Sequence, residues 1–312
     1  MNFDTSREDL RFNRLELELG VKVAFYSTLA GKEIVDVRKL QLGDAQKDHE
    51  VAQGRNRLGV AKLSDVLQAS VRLEQAKFNL TRAEGIFRNA LSELNSLLGR
   101  PLDYTYDVEG SLDLDISLPD RKRLFEATLQ RPEVRQAAYA VEVSENNKAL
   151  VLSEFYPDFS MDASYTRADL QGFSDNSSEI TTASIVARWN LFELGKFFRK
   201  NSSELEIRVS EKNLHETKRQ LLLNVQKVYE DFLTATTNLN VAKQQLEQAQ
   251  QNYSQALGEY KVGKGDILSL VQAESLLADA REQLTTSKLN IMVSKAALES
   301  AAGIETLEQL SN

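Results

Sequence analysis

Apolar and small side chains return at alternating steps of three and four along the second half of this chain. Val225, Val228, Phe232, Ala235, Leu239, Ala242, Leu246, Ala249, Tyr253 and Ala256 form one such run. A run of period 3.5 predicts a helix, from about Glu204 to Leu257, that winds along other helices. A second run, through Ala273, Leu277, Ala280, Leu284, Ser287, Ile291, Ser294, Leu298 and Ala301, predicts a return helix ending near Ala302. Between them lies Lys261-Val262-Gly263-Lys264-Gly265-Asp266, a turn. Large residues alternate with small ones along both seams, so neighbouring helices can approach closely and interlock.

The same hairpin occurs 204 positions earlier. Val21 answers Val225, Leu29 answers Leu233, and Lys39, Gln41, Leu42, Ala45 and Gln46 meet identical residues. The register continues without a gap through Gly59/Gly263, Ala69/Ala273, Leu73/Leu277, Ala76/Ala280, Leu80/Leu284, Leu94/Leu298 and Gly99/Gly303. A match of that length is an internal duplication. The first arm is predicted from near Ser6, with Thr5 or Ser6 as its cap, to about Gly54. Arg38 and His49 sit where the second copy has Ala242 and Tyr253, so its seam is less tidy. Gly99 and Pro101 end the return arm.

All 4 prolines fall between Pro101 and Pro157, which leaves both hairpins free to run unbroken. At 1.5 Å per residue an arm of about 55 residues is roughly 80 Å long, so it must pack laterally rather than in a globule. Residues 101–120 read as an acidic, irregular connector, followed by a short helix through Leu124, Phe125, Ala127 and Leu129 and another from about Glu133 to Ser153. The period then changes to two. Phe159, Met161, Ala163 and Tyr165 alternate with Ser160, Asp162, Ser164 and Thr166; after a polar loop, Thr181, Ala183, Ile185, Ala187 and Trp189 alternate with Thr182, Ser184, Val186, Arg188 and Asn190. This predicts one β-hairpin of roughly nine to eleven residues per strand, enough to cross a bilayer when tilted. Tyr165 and Trp189 are then candidates for the interfacial aromatic belts. A soluble hairpin with one face on a core is the other reading of that alternation.

Charge and composition remove several classes. A net charge of -8, with no Lys/Arg run, disfavours nucleic acid as a partner. With 0 cysteines there are no disulfides and no thiolate metal sites. No apolar run is long enough for a transmembrane helix, and Met1-Asn2-Phe3-Asp4-Thr5-Ser6 does not resemble a signal peptide. The 2 histidines, His49 and His215, have no paired nucleophile or ligand spacing. Gly263-Lys264-Gly265-Asp266 lacks the spacing of a phosphate loop and a preceding strand. The expectation is a non-enzyme with no catalytic, cofactor or metal residues.

Four segments in order resemble the TolC-like outer-membrane efflux channels. The turns Arg57-Leu58-Gly59-Val60 and Lys261-Val262-Gly263-Lys264 resemble the family's periplasmic tips, each followed by a stretch rich in Leu, Gln and Ala. Ala127-Thr128-Leu129-Gln130-Arg131-Pro132-Glu133-Val134 resembles the element that opens the second repeat. Tyr156-Pro157-Asp158-Phe159 resembles the lead into a barrel strand, and Trp189-Asn190-Leu191-Phe192-Glu193-Leu194-Gly195-Lys196 the exit from one. That exit departs from the usual Pro-Leu-Phe-Asp-Gly-Gly at Asn190 and Leu194. In the repeat register Met1 aligns with Leu205, so the first copy lacks its own strand pair, and the chain reads as an N-terminally truncated gene product. Two strands per chain give six in a trimer, too few for a porous barrel.

The fold class implied is mainly α, with long antiparallel coiled-coil helical hairpins in two tandem repeats plus one β-hairpin of a transmembrane β-barrel. The expected divisions are residues 1–100, first helical hairpin; 101–157, connector; 158–191, barrel hairpin; 192–303, second helical hairpin; and 304–312, tail. The resemblance implies the passive outer-membrane channel of a tripartite export system: a homotrimer set in outer-membrane lipid, with a large periplasmic part. A periplasmic adaptor and an inner-membrane pump would be its partners. Arg57, Leu58, Gly59, Lys261, Val262 and Gly263 are the expected adaptor contacts. Asp65, Tyr260 and Asp266 are candidates for a gate at the tunnel mouth. A soluble coiled-coil scaffold and a non-functional channel fragment are the competing readings.

Overall fold

The structure, a computed structural model, describes residues 2–113, 118–169 and 177–307. Among the described residues six helices and two strands follow in the order α1 (Asn2–Arg57), α2 (Leu63–Leu97), α3 (Arg121–Thr128), α4 (Pro132–Ser153), β1 (Asp158–Asp169), β2 (Ser177–Arg188), α5 (Leu194–Lys261) and α6 (Ile267–Ala302). Two helix starts differ from the sequence reading, and α1 and α5 run a few residues past the expected ends, to Arg57 and Lys261. Helix α1 is already under way at Asn2, so Thr5 and Ser6 lie within it rather than capping it. Helix α5 starts at Leu194, ten residues ahead of the expected arm, because the exit segment Leu194–Ser203 is itself helical. Part of the loop expected between the strands, and residues 308–312 of the expected tail, lie outside the described residues.

The duplication is visible in the backbone. Among the described residues 4 glycines stand at positive φ, Gly59 (76°), Gly99 (66°), Gly263 (78°) and Gly303 (73°), two pairs at the repeat spacing. Each pair makes the same bonds. Gly59 N donates to Asn56 O at 2.8 Å and Val60 N to Arg55 O at 3.0 Å; Gly263 N donates to Tyr260 O at 3.1 Å and Lys264 N to Glu259 O at 2.9 Å. Gly99 and Gly303 likewise close α2 and α6 with paired bonds from the glycine and its successor, the Schellman arrangement that glycine's freedom at positive φ favours.

The chain divides into two compact units. The first comprises Met1–Asp9 and Pro132–Arg219. Here β1 and β2 pair antiparallel, with Phe159 opposite Ala187, Met161 opposite Ile185, Ala163 opposite Ala183 and Tyr165 opposite Thr181. The predicted apolar face is therefore assembled in register. Strands of 12 residues exceed the expected length slightly. The exit is stitched to the residues just past α4: Trp189 Nε1 donates to Phe155 O at 3.1 Å, buried Lys196 donates to Glu154 O at 2.5 Å and to Asn190 O at 3.1 Å, and Arg199 Nη2 reaches Glu154 at 2.7 Å and Glu193 at 3.1 Å.

The second unit comprises Leu10–Arg131 and Gln220–Asn312. Its two apolar cores follow the seams. One gathers Leu29, Leu91, Leu124, Val225, Phe232, Leu239, Ile291 and Leu298, with Val108 and Leu112 of the irregular connector inserted into it. The other, at the turn end, gathers Ala52, Ala69, Tyr253, Tyr260, Leu270, Ala273, Leu277 and Ala280. Arg131, from the segment that opens the second repeat, donates to the carbonyls of Ser300 and Ala301 and so covers the last turn of α6. A Cβ on Gly303 would lie 2.9 Å from Arg131 Cγ, whereas one on Gly59 would meet nothing within 4 Å. Gly303→Ala is accordingly expected to lower stability by roughly 2–3 kcal/mol and Gly59→Ala by about 1 kcal/mol, the first adding displacement of Arg131 to the strain of positive φ. Thermal unfolding of the two variants side by side measures the difference.

Candidate functional site

The two turns sit at the same end of the second unit. Arg55, in the last turn of α1, places its guanidinium 4.7 Å from the centre of the Tyr260 ring and donates through Nη1 to the Tyr260 carbonyl. One arginine therefore ties the first hairpin to the second. Asn56 Nδ2 closes its own turn on Ala61 O at 2.9 Å. A Cβ on Gly265 would be tightly placed, 3.1 Å from Glu259 Cβ and 3.2 Å from Tyr260 N. Arg57, Leu58, Gly59, Lys261, Val262 and Gly263, the residues expected to meet an adaptor, are all exposed.

The three gate candidates occupy different surroundings. Tyr260 is buried; burial first and the charge of Asp65 second push its hydroxyl up from the usual range, and Arg55 opposes them. Asp65 is half-buried in the first turn of α2 and accepts from Ser64 Oγ at 3.3 Å. Asp266 is instead the N-cap of α6. It accepts from Ser269 N at 2.7 Å, and that bond holds its carboxyl below the ordinary carboxylate range. The geometry thus groups Tyr260 with Asp65 and Arg55 and leaves Asp266 as a cap. Tyr165 and Trp189 are exposed, Tyr165 on the apolar face of the hairpin and Trp189 just past β2.

A polar layer that the sequence reading did not single out crosses the four helices above the turns. Asp48 of α1, only 4% exposed, accepts a hydrogen bond from Tyr253 Oη at 3.0 Å. Burial pushes the Asp48 carboxyl up to about 7, against the pull of that bond. Arg72 of α2 donates to Glu274 of α6, which is buried and has its carboxyl raised by burial despite the arginine. Arg281 of α6 pairs with Asp44 at 2.8 Å. The clue lay in spacing: Tyr253 and Tyr260, one heptad apart, each meet an α1 residue 205 positions earlier. Among the described residues no group of three or more His, Asp or Glu side chains is placed to hold a metal ion.

The family model described as "Outer membrane efflux protein" matches residues 1–100 and 124–304. The chain belongs to that family. Its relatives include the "Probable efflux pump outer membrane protein SepC" of Pseudomonas putida F1, 21% identical over 305 residues, covering 95% of this chain and 62% of that protein. The "Antibiotic efflux pump outer membrane protein ArpC" of Pseudomonas putida is 22% identical over 317 residues, 98% of this chain and 64% of its own length. The chain thus spans less than two-thirds of these curated relatives. Among solved structures, the outer membrane protein VceC of Vibrio cholerae superposes with a TM-score of 0.82 at 17% identity, over 96% of this chain and 72% of that one. At that identity the likeness carries the fold. The family is one of outer-membrane proteins, and the expected TolC-like architecture of helical hairpins plus one β-hairpin is the architecture observed.

Proposed function

We propose that this chain is the channel component of a tripartite efflux system, acting as a passive conduit with no bound cofactor. It works as a homotrimer in the outer membrane, with a periplasmic adaptor and an inner-membrane pump docking at the turns. The observation that carries this is the β1–β2 sheet. Its strands of 12 residues leave both edges unpaired among the described residues, and its apolar face is bare: Met161 is 75% and Ile185 76% exposed. A two-stranded ribbon with an uncovered apolar face is not stable in water. At about 3.3 Å per residue and a tilt near 45°, however, it spans a hydrocarbon core. Two strands per copy give six in a trimer, so an open barrel needs strands additional to β1 and β2. The divisions drawn from the sequence then become functional ones: two tunnel-wall hairpins, a connector and a barrel segment.

Mass measurement in detergent tests the assembly. A trimer of the 35.1 kDa chain that aggregates when detergent is removed is the expected result. A species stable without detergent would favour the soluble coiled-coil scaffold. Asp65 and Tyr260 are proposed to hold the tunnel mouth narrow, with Asp266 serving its helix. In a complete channel, Asp65→Ala is expected to raise the uptake of a large antibiotic severalfold; unchanged uptake removes Asp65 from the gate.

A further inference from the structure

One heptad above the turns, the charges of the second unit do not balance. Asp44 and Asp48 of α1 and Glu274 of α6 bring three carboxylates to one layer, and Arg72 of α2 and Arg281 of α6 bring two guanidiniums. Arg281 pairs with Asp44 at 2.8 Å and Arg72 with Glu274. Asp48 is the carboxyl left over. It is buried, stands in no salt bridge among the described residues, and is held by the Tyr253 hydroxyl at 3.0 Å. Glu274 Oε1 is itself buried without a hydrogen-bond partner, so the layer is short of donors. In the second copy the position equivalent to Asp48 is Asn252, exposed and uncharged. The surplus carboxyl therefore belongs to the seam where α1 meets α5 and α6.

We propose that this layer is a proton-operated lock on the seam between the two helical hairpins. With Asp48 protonated, α1 stays packed against α5 and α6; when Asp48 ionises, the seam opens there to water. A neutral carboxyl can stay buried beside a hydroxyl at modest cost, whereas an unpaired carboxylate must draw in water or a cation. The groups facing Asp48 push the same way on balance. Asp44 on its own helix and Glu274 of α6 oppose its ionisation, and Lys261 of α5 favours it, least of the three. The two guanidiniums are already engaged, Arg72 on Glu274 and Arg281 on Asp44. Tyr260 of α5 also feels the Asp48 charge, and Arg55 lies over its ring. Burial is the largest influence and raises the Asp48 carboxyl. A carboxyl raised in the closed seam binds its proton more tightly there, so the lock is tight in acid and slackens as pH rises through neutrality. The lock stands on the geometry of the seam, whereas its consequence, a tunnel mouth held tighter in acid, rests on the proposed channel.

Hydrogen exchange on the full chain in detergent, corrected for the intrinsic effect of pH, tests the lock. Amides in residues 44–55 and 250–262 are expected to open about tenfold more readily at pH 8 than at pH 5.5. At pH 8 they should also be less protected than the amides around Leu29 and Ile291, the mark of a local opening. Asp48→Asn should remove most of the rise, and His49→Gln should keep it. No rise in the parent overturns the proposal. A rise undiminished in Asp48→Asn, or one that His49→Gln removes, assigns the proton elsewhere and overturns it too. Equal protection throughout the unit at both pH values makes Asp48 a contributor to global stability and likewise overturns the lock. In pores of a complete channel, the open fraction is expected to rise severalfold from pH 5.5 to 8 in the parent and much less in Asp48→Asn. Exchange as expected with no pore at any pH contradicts the channel and leaves the lock standing. Pores indifferent to pH overturn the link between the lock and the mouth.

Discussion

Replacing Arg72 with methionine is expected to destabilise the turn-end half of the helical unit by about 3–5 kcal/mol, the largest effect of any single change considered. Glu274 is 2% exposed, on α6 between Ala273 and Leu277 of that core, and Arg72 is the cation that reaches it. Its Oε1 already lacks a hydrogen-bond partner. Removing the guanidinium leaves a carboxylate in an apolar seam with little beyond Gln41 to solvate it. The carboxyl must then bind a proton or draw in water, and either route opens the packing between α2 and α6. The paired change Arg72→Met/Glu274→Leu removes both charges and fills the space, so most of the loss should return. Urea unfolding of the single and double variants measures this. A single variant as stable as the parent would mean that the buried pair contributes nothing to the helix seam.

Acidification is expected to stabilise the same region, through Asp48. Burial pushes its carboxyl up to about 7 in the folded chain, well above the ordinary carboxylate range. A carboxyl raised on folding binds its proton more tightly in the folded state. Its contribution is therefore fully present below about pH 4 and is lost as pH rises through 7. Around Asp48 stand Asp44 on its own helix, Tyr253 and Lys261 from α5, and Glu274 from α6, with Arg281 paired to Asp44 and Arg72 to Glu274. Asp44 and Glu274 oppose its ionisation and Lys261 favours it. Stability should fall by roughly 1–2.5 kcal/mol between pH 5 and 8, allowing for partial solvation of the site. Asp48→Asn keeps an acceptor for Tyr253 Oη and removes the titration. It should be more stable than the parent at pH 8 and depend less steeply on pH across that range. A parent whose melting temperature rises with pH would refute the assignment.

The helical seams and the strand pairing were legible because each depends on a local period. Every seam position read on α6 is buried or half-buried, and the residues placed together on the hairpin's apolar face are those the register brings opposite one another. Three things were not legible. The repeat register equates His49 with Tyr253, yet Asp48 is the residue turned inward and His49 is only half-buried. Equivalence between copies records descent, while the face that a helix buries is chosen by its partner, here the hydroxyl of Tyr253. Nor does the acidic connector announce that Val108 and Leu112 complete a core, because two isolated apolar residues carry no period. Ion pairs such as Arg72 with Glu274 and Arg281 with Asp44 join positions more than 200 apart, and only tertiary packing brings them together.

The turns were readable as turns, since glycine at positive φ between two long seams has one structural meaning. That Arg55 folds back on Tyr260 follows from packing between the two hairpins, which no local pattern records. The same holds for Asp266, whose place in the sequence beside Gly265 suited a gate as well as a cap.

The sharpest test of the whole reading is a lipid-accessibility scan of β1. Because the chain has 0 cysteines, single cysteines at positions 159 to 166, spin-labelled in outer-membrane vesicles, report one site each. Labels at 159, 161, 163 and 165 should be reached by oxygen dissolved in lipid, and those at 160, 162, 164 and 166 by a water-soluble nickel chelate. Uniform access to the chelate along the strand would place the hairpin in water and contradict the channel.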